Sequence, residues 1–234
     1  MTTTELDKSA PRVRAMFSSI AGRYDLLNHL LSANQDRVWR RKAIRMLQPQ
    51  ADEKILDLCC GTGDFAAQCL NAQPACHLTG ADFAIPMLQL AKGKNSKSIP
   101  FLAADALQLP FPNNHFDAVM VAFGVRNFTD TKAGLQEITR VLRPGGRFLM
   151  LEFLRPQSTF LKWGFGIFFR WILPVIGKMV SGHNEAYSYL PTSVNEFFSE
   201  KEIVPLLESC GMKVQICKDH SGGIATSVLC EKTE

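Results

Sequence analysis

The chain contains no G-x-G-x-x-G run and no G-x-x-x-x-G-K-[ST] run. The first absence excludes the nicotinamide-type dinucleotide turn, and the second excludes a P-loop. No C-x-x-C spacing occurs among the seven cysteines, an odd number. Neither a zinc site nor a disulfide framework follows, no metal is expected, and a reducing cytoplasm is the simplest compartment. Charge of one sign is not in excess. The 26 basic and 22 acidic residues give a net charge of +4, too little to argue for nucleic acid. Residues 1–11 are polar and carry no apolar leader core. No uninterrupted apolar run is long enough to span a bilayer. The most apolar stretch, residues 160–180, is interrupted by Lys162, Arg170 and Lys178, broken by Pro174 and loosened by Gly164, Gly166 and Gly177.

What the chain does have is an apolar run, residues 54–58, that stops at Cys59-Cys60-Gly61-Thr62-Gly63. A helix-compatible segment follows from Asp64. Gly61 and Gly63 let the backbone pass close to a ligand, at a helix N-terminus whose free N–H groups face it. Nineteen residues past the turn, Asp82-Phe83 closes a second apolar run. An acidic residue at that offset suits ribose hydroxyls. A third run ends in Asp105-Ala106 before a Pro/Asn turn cluster. A carboxylate there can accept from an exocyclic amine while the next N–H donates to a ring nitrogen. Three acidic strand ends, Asp57, Asp82 and Asp105, argue for one shared site rather than three turn caps. With no pyrophosphate turn, a nucleoside carrying a small zwitterion fits better than a dinucleotide.

Residues 13–20 and 35–47 read as helices. Strands are expected at 54–58, 77–81, 99–103, 116–122 and 147–153, with helices at 64–70, 85–92 and 132–142 between them. This alternation predicts an α/β fold, a parallel sheet with helices on both faces and ligand at the strands' carboxyl ends. Residues 203–208 read as a closing helix, and 213–218 and 225–231 as a strand pair. The expected organisation is an N-terminal helical cap (1–50), a cofactor-binding core (51–153), an apolar lid or insertion (154–200) and a C-terminal helix and strand pair (201–234). For residues 160–180 two readings stand: a buried helix pair, or an amphipathic lid over an oily substrate that touches a membrane surface. The basic run Arg37–Lys42 reads as a solvated helix face, with lipid headgroups or a partner subunit, hence a homodimer, as the alternatives.

Four blocks together resemble one family, the ubiquinone/menaquinone biosynthesis C-methyltransferases. They are residues 17–28 with Trp39-Arg40, residues 56–64, residues 123–127, and residues 140–146 with 151–153; residues 187–191 resemble a late loop of the family. The resemblance implies a Rossmann-like class I methyltransferase with a mostly parallel seven-stranded sheet. It implies S-adenosyl-L-methionine as the donor, with Asp57, Gly61, Thr62, Gly63, Asp82, Phe83, Asp105, Ala106 and Ala122 as its site. The implied acceptor is a prenylated quinol, demethylmenaquinol or the benzoquinol precursor of ubiquinone, with nucleic acid excluded as a partner. A peripheral place at the inner face of the cell membrane would follow if residues 160–180 touch lipid. A quinol carbon becomes nucleophilic once a neighbouring hydroxyl loses its proton, so the site needs a base or a cation. Arg126 is the candidate for that role and Asn127 for holding a ring oxygen; His183, Tyr187 and Tyr189 are further catalytic candidates from a segment expected to fold over the site, and Tyr24 and Asp25 are expected to close it from the N-terminal side. Asp36 stands where the family usually has His, Leu154 where a small hydroxyl residue is common, and Ala122 where Ser is frequent. Rival readings are a methyltransferase of the same fold acting on another lipophilic small molecule, a nucleic-acid-modifying enzyme, and a non-catalytic binding module.

Overall fold

A computed structural model of the chain describes residues 9–94, 99–157 and 184–234, with backbone alone at residues 10 and 184–188. Its strands are β1 (Lys54–Leu58), β2 (His77–Asp82), β3 (Phe101–Ala103), β4 (Phe116–Ala122), β5 (Leu142–Glu152), β6 (Met212–His220) and β7 (Ala225–Lys232). Its helices are α1 (Ala10–Ile20), α2 (Tyr24–Leu31), α3 (Gln35–Leu47), α4 (Asp64–Ala72), α5 (Ile85–Lys94), α6 (Thr131–Val141), α7 (Asn184–Glu196) and α8 (Glu200–Ser209). The strands form one seven-stranded sheet of order β3-β2-β1-β4-β5-β7-β6. The first five pair in parallel, and β7 runs antiparallel to both its neighbours.

Side chains alternate across a strand, so a sheet covered on both faces needs apolar residues at both parities. That is how β1, β4 and β5 are built. Leu56, Leu58, Val119, Val121, Phe148 and Met150 face one core, with Leu135 and Ile138 of α6 and Ile203 and Leu207 of α8. Ile55, Ala118, Met120, Leu149 and Leu151 face the other, with Trp39 and Ile44 of α3, Phe65 and Cys69 of α4, and Leu88 and Ala91 of α5. Each such side chain contributes about 1.5–3 kcal/mol on full burial. The strand order reverses between β1 and β4. Loops after β1, β2, β3 and β4 therefore meet at one edge, the usual place for a ligand in such a sheet.

Several expectations needed correction. The helix expected at 132–142 ends at Val141, and β5 begins directly at Leu142. The strand expected at 99–103 is only Phe101–Ala103, because Pro100 has no N–H for a ladder. The eight-residue α2 was missed, since Asp25 and Asn28 blur its apolar face. Residues 187–191, read as a loop, lie in α7, with Pro191 inside the helix. Most of the 154–200 segment expected as a lid, including all of 160–180, lies outside the described residues. Among the described residues, no helix is long and apolar enough to cross a membrane.

Candidate active site

The turn between β1 and α4 carries three left-handed residues: Cys59 (φ +56°), Gly61 (φ +54°) and Gly63 (φ +82°). Gly63 is the residue that starts α4. The conformation is ordinary for glycine but costs on the order of 1–2 kcal/mol at Cys59. The turn is tied to the end of β2 from two sides. Cys60 donates its N–H to the Ala81 carbonyl at 3.0 Å. The Gly61 N–H donates to Asp82 Oδ2 at 2.9 Å, and the Ala84 N–H donates to Asp82 Oδ1 at 2.8 Å. Asp82 is thus buried and oriented through both oxygens. Burial pushes its carboxyl up, and the amides of Ala84, Gly61 and Phe83 partly offset this.

A cleft of about 690 Å³, partly open to solvent, lies over these loops. Of the residues expected at a donor site, Gly61, Asp82, Phe83, Asp105, Ala106 and Ala122 line it, together with Asn127. Asp105 accepts the Leu107 N–H at 2.9 Å, so the turn cap and the cleft position coexist in one side chain. The sequence reasoning missed Cys59, Phe17, Met87 and Phe123, which also line the cleft. Phe17 and Met87 belong to helix patterns that read simply as core. Cys59 carries no reactive thiolate: burial and the nearby carboxylates push its thiol well above the usual range.

Asp57, Thr62 and Gly63 are not among the lining residues. Thr62 donates to Asp25 Oδ1 at 2.5 Å, and Lys94 contacts Asp25, Thr62 and Asp64. These bonds fasten the α2 cap onto the cofactor turn, and Tyr24 then lines the cleft beside Gly61. Asp57 sits beneath the turn, 1% exposed, and among the described residues only the Ala66 amide lies near its carboxylate, without a hydrogen bond of good geometry. Burial is the main cause that raises its pKa to about 8; the Ala66 amide and Arg40 lower it, and Asp82 and Asp64 raise it further. Burial thus favours the protonated form of Asp57. Unfolded, the same group ionises near 3.8, so the folded state holds the extra proton between about pH 4 and 8. Stability from this group is therefore full below the unfolded value and falls as pH rises through that window. Asp57→Asn should flatten the decline, read from urea unfolding midpoints across the window. A variant whose midpoint still tracks pH as in the parent would show that Asp57 is not the source.

The loop after β4 carries the candidate catalytic block. Arg126 is 6% exposed and does not face the cleft as an open cation. It donates through Nη1 to Glu152 Oε1 at 2.7 Å and to the Phe123 carbonyl at 2.5 Å. The Arg126 amide also donates to Glu152 Oε2 at 3.2 Å. Asp130, nearby in sequence, accepts the Ala133 N–H and starts α6 instead. Glu152 ends β5 and lies in the 151–153 block that resembles the family, which gave it no role as a partner of Arg126. The Arg126 Nε–H is buried without a partner among the described residues. Asn127 accepts from the Tyr189 hydroxyl at 2.9 Å and contacts the Phe123 carbonyl at 3.3 Å through Nδ2. Burial pushes Tyr189 up to about 12, with Arg126 lowering and Glu152 raising it, so the hydroxyl stays protonated. Tyr187 lies in α7, where only its backbone is described, and His183 lies outside the described residues.

Asp36, at the position where a histidine was expected, is part of a buried polar hub instead. It accepts from Ser32 Oγ at 2.8 Å and pairs with His29 and Arg40. Burial alone would raise its pKa, but Ser32, Arg40 and His29 more than offset that and hold it low.

A Gly turn, an oriented carboxylate and a cleft at a strand-order reversal suit many nucleoside-using enzymes. Sequence comparison separates them. The model of the ubiE/COQ5 methyltransferase family matches residues 4–232. The chain belongs to this family. Similar relatives include the demethylmenaquinone methyltransferase of Thermus thermophilus, 44% identical over 86% of this chain and 92% of that protein. The ubiquinone/menaquinone biosynthesis C-methyltransferase UbiE of Geobacter sulfurreducens is 40% identical over 99% of this chain and 93% of that protein. Solved structures with the same fold include a SAM-dependent methyltransferase from Aquifex aeolicus, at a TM-score of 0.62, 16% identity, and 83% and 89% coverage. They also include the [4+2]-cyclase SpnF, at 0.70, 15% identity, and 100% and 98% coverage. A cyclase and a methyltransferase sharing the sheet show that fold alone does not select a chemistry. The family match does, and it makes this chain a methyltransferase.

Proposed function

We propose that the chain transfers the methyl group of S-adenosyl-L-methionine to a ring carbon of a prenylated quinol, demethylmenaquinol. The single observation that carries this is the family match over residues 4–232, joined to the cleft beside Asp82 and Asn127. The relatives at 44% and 40% identity carry names for this chemistry. The site fits the donor. Asp82, held by two backbone amides, keeps lone pairs for both ribose hydroxyls. Asp105 and the Ala106 N–H suit the adenine edge, with Phe83 and Met87 as its apolar walls. Gly61 leaves room for the methionine part. Bound there, the donor supplies an electrophilic methyl on sulfonium, and the protein supplies orientation and electrostatics.

The acceptor's oxygen is assigned to Asn127 Nδ2, whose amide the Tyr189 hydroxyl orients. Arg126 favours loss of the quinol proton from behind the cleft wall, by its charge and by way of a water at its Nε–H, while Glu152 fixes the guanidinium. Tyr189, Tyr187 and His183 remain the candidates from this part of the chain, and Tyr189 is the one with a described contact to Asn127. A second reading keeps the donor site and changes the acceptor to the ubiquinone-precursor benzoquinol, because the Geobacter relative's name covers both quinones. Contact of residues 160–180 with a membrane belongs to this proposal as well.

The test is quinone analysis of a host lacking this gene. Accumulated demethylmenaquinone, cleared by the restored gene, supports the assignment. Accumulation of a demethylated ubiquinone precursor alone moves it to the second reading, and an unchanged quinone pool refutes both.

A further inference from the structure

We propose that the N-terminal cap docks this enzyme on an anionic lipid bilayer. Leu26 and Leu30 of α2 and Ile85 of α5 enter the acyl region, and basic side chains around them meet the headgroups. The proposal rests on the prenylated-quinol reading above and assigns the surface through which such an acceptor is reached.

The apolar part is exposed where burial was available. Leu26 is 59% exposed, Leu30 45% and Ile85 58%. Leu26 and Leu30 are one helical turn apart and so share a face. The cap sits on the start of α5 through Ala21, Ala84 and Met87, with Phe17, Ile20 and Tyr24 packed against them. All three exposed side chains are therefore at one end of the molecule. It is the end where the cleft opens, since Phe17, Tyr24, Phe83 and Met87 line it. A single exposed leucine needs no explanation. Three at one end of a protein whose acceptor is a lipid are a different matter.

Charge selects the occupant. Residues 1–45 hold nine basic and four acidic residues, while the rest of the chain holds seventeen and eighteen. The net positive charge of the protein is thus a property of this one region. Arg14, Arg37 and Arg41 are exposed on α1 and α3. The two acids of the described cap are already engaged: Asp25 by Lys94 and Thr62, and Asp36 by Arg40, Ser32 and His29. A basic surface with apolar anchors is attracted to anionic lipid and held by insertion of the anchors. A second copy of this chain would bring a like charge to the same face, which opposes self-association there. A docked cap places the cleft mouth at the bilayer surface. A quinol ring can then reach Asn127 while its prenyl chain stays in lipid.

The test is flotation of the full chain with quinone-free vesicles, so that the result does not depend on the acceptor. The parent should float with phosphatidylglycerol-rich vesicles, remain behind with phosphatidylcholine vesicles, and be released by high salt. Leu26→Ser with Leu30→Ser should weaken partitioning at least about tenfold, given the apolar area withdrawn. Donor affinity of that variant should equal the parent's, which shows that it is folded. No flotation of the parent, or equal flotation with both lipids, would overturn the proposal. So would a variant that floats like the parent, or one that instead loses a dimer seen by sedimentation. Methylation of a short-chain, water-soluble quinol without vesicles checks the quinol reading separately. Parent and variant should be equal there, and failure of both refutes that reading while leaving flotation to decide the docking face.

Discussion

Removing the Arg126 side chain is expected to lower kcat by roughly 10²-fold or more, the effect of losing one electrostatic donor at a developing oxyanion. The variant has to be chosen with Glu152 in mind. Glu152 is fully buried, and Arg126 is its ion-pair partner at 2.7 Å. Arg126→Ala alone would strand that charge, a cost of about 3–5 kcal/mol that threatens the fold. Arg126→Ala combined with Glu152→Gln removes the pair without leaving a buried ion. Donor affinity should change little, because Gly61, Asp82 and Asp105 are untouched. Raising the pH should restore part of the rate, since hydroxide can then deprotonate the quinol. Arg126→Lys should recover only part of the activity, because an ammonium that holds Glu152 and the Phe123 carbonyl, as Nη1 does, has no second nitrogen to offer the quinol in place of the Nε–H. A double variant with near-parent kcat would move the catalytic role to Asn127 and Tyr189.

The second large effect is expected at Asp82. Its two oxygens are assigned to both ribose hydroxyls, in charge-assisted bonds worth roughly 1.5–3 kcal/mol each. Asp82→Ala should reduce donor affinity at least about tenfold by calorimetry. Part of that loss would come from the freed Gly61 and Ala84 amides, which Asp82 now satisfies at 2.9 and 2.8 Å. Asp82→Asn separates the two contributions, because one amide oxygen remains as acceptor while the charge is gone. If both folded variants bind donor like the parent, Asp82 only holds the turn.

The sheet and the grouping of Gly61, Asp82 and Asp105 at one cleft were legible because local chemistry carries them. β1 and β4 were read with their correct ends, since both are mainly apolar runs, interrupted only by Asp57 and Asp117 within them and bounded by polar or turn residues. Gly61, Asp82 and Asp105 stand at strand ends, where the sheet itself brings them together. Asp57 follows the same rule and still falls outside the cleft, because its strand parity points it under the turn. The acceptor end was much less legible. Tyr189 reaches Asn127 across 62 residues of chain, and Glu152 reaches Arg126 across 26. No local pattern encodes such pairs. The exposed leucines of α2 were hidden for the opposite reason: in sequence they look like any other helical apolar face.

The central claim is tested most directly by incubating the purified chain with S-adenosylmethionine carrying a labelled methyl group and demethylmenaquinol under reducing conditions, then analysing the product by mass spectrometry. The account predicts menaquinol with the label on the ring carbon. Label on a quinol oxygen, or none on the quinol from protein that binds the donor, would contradict it.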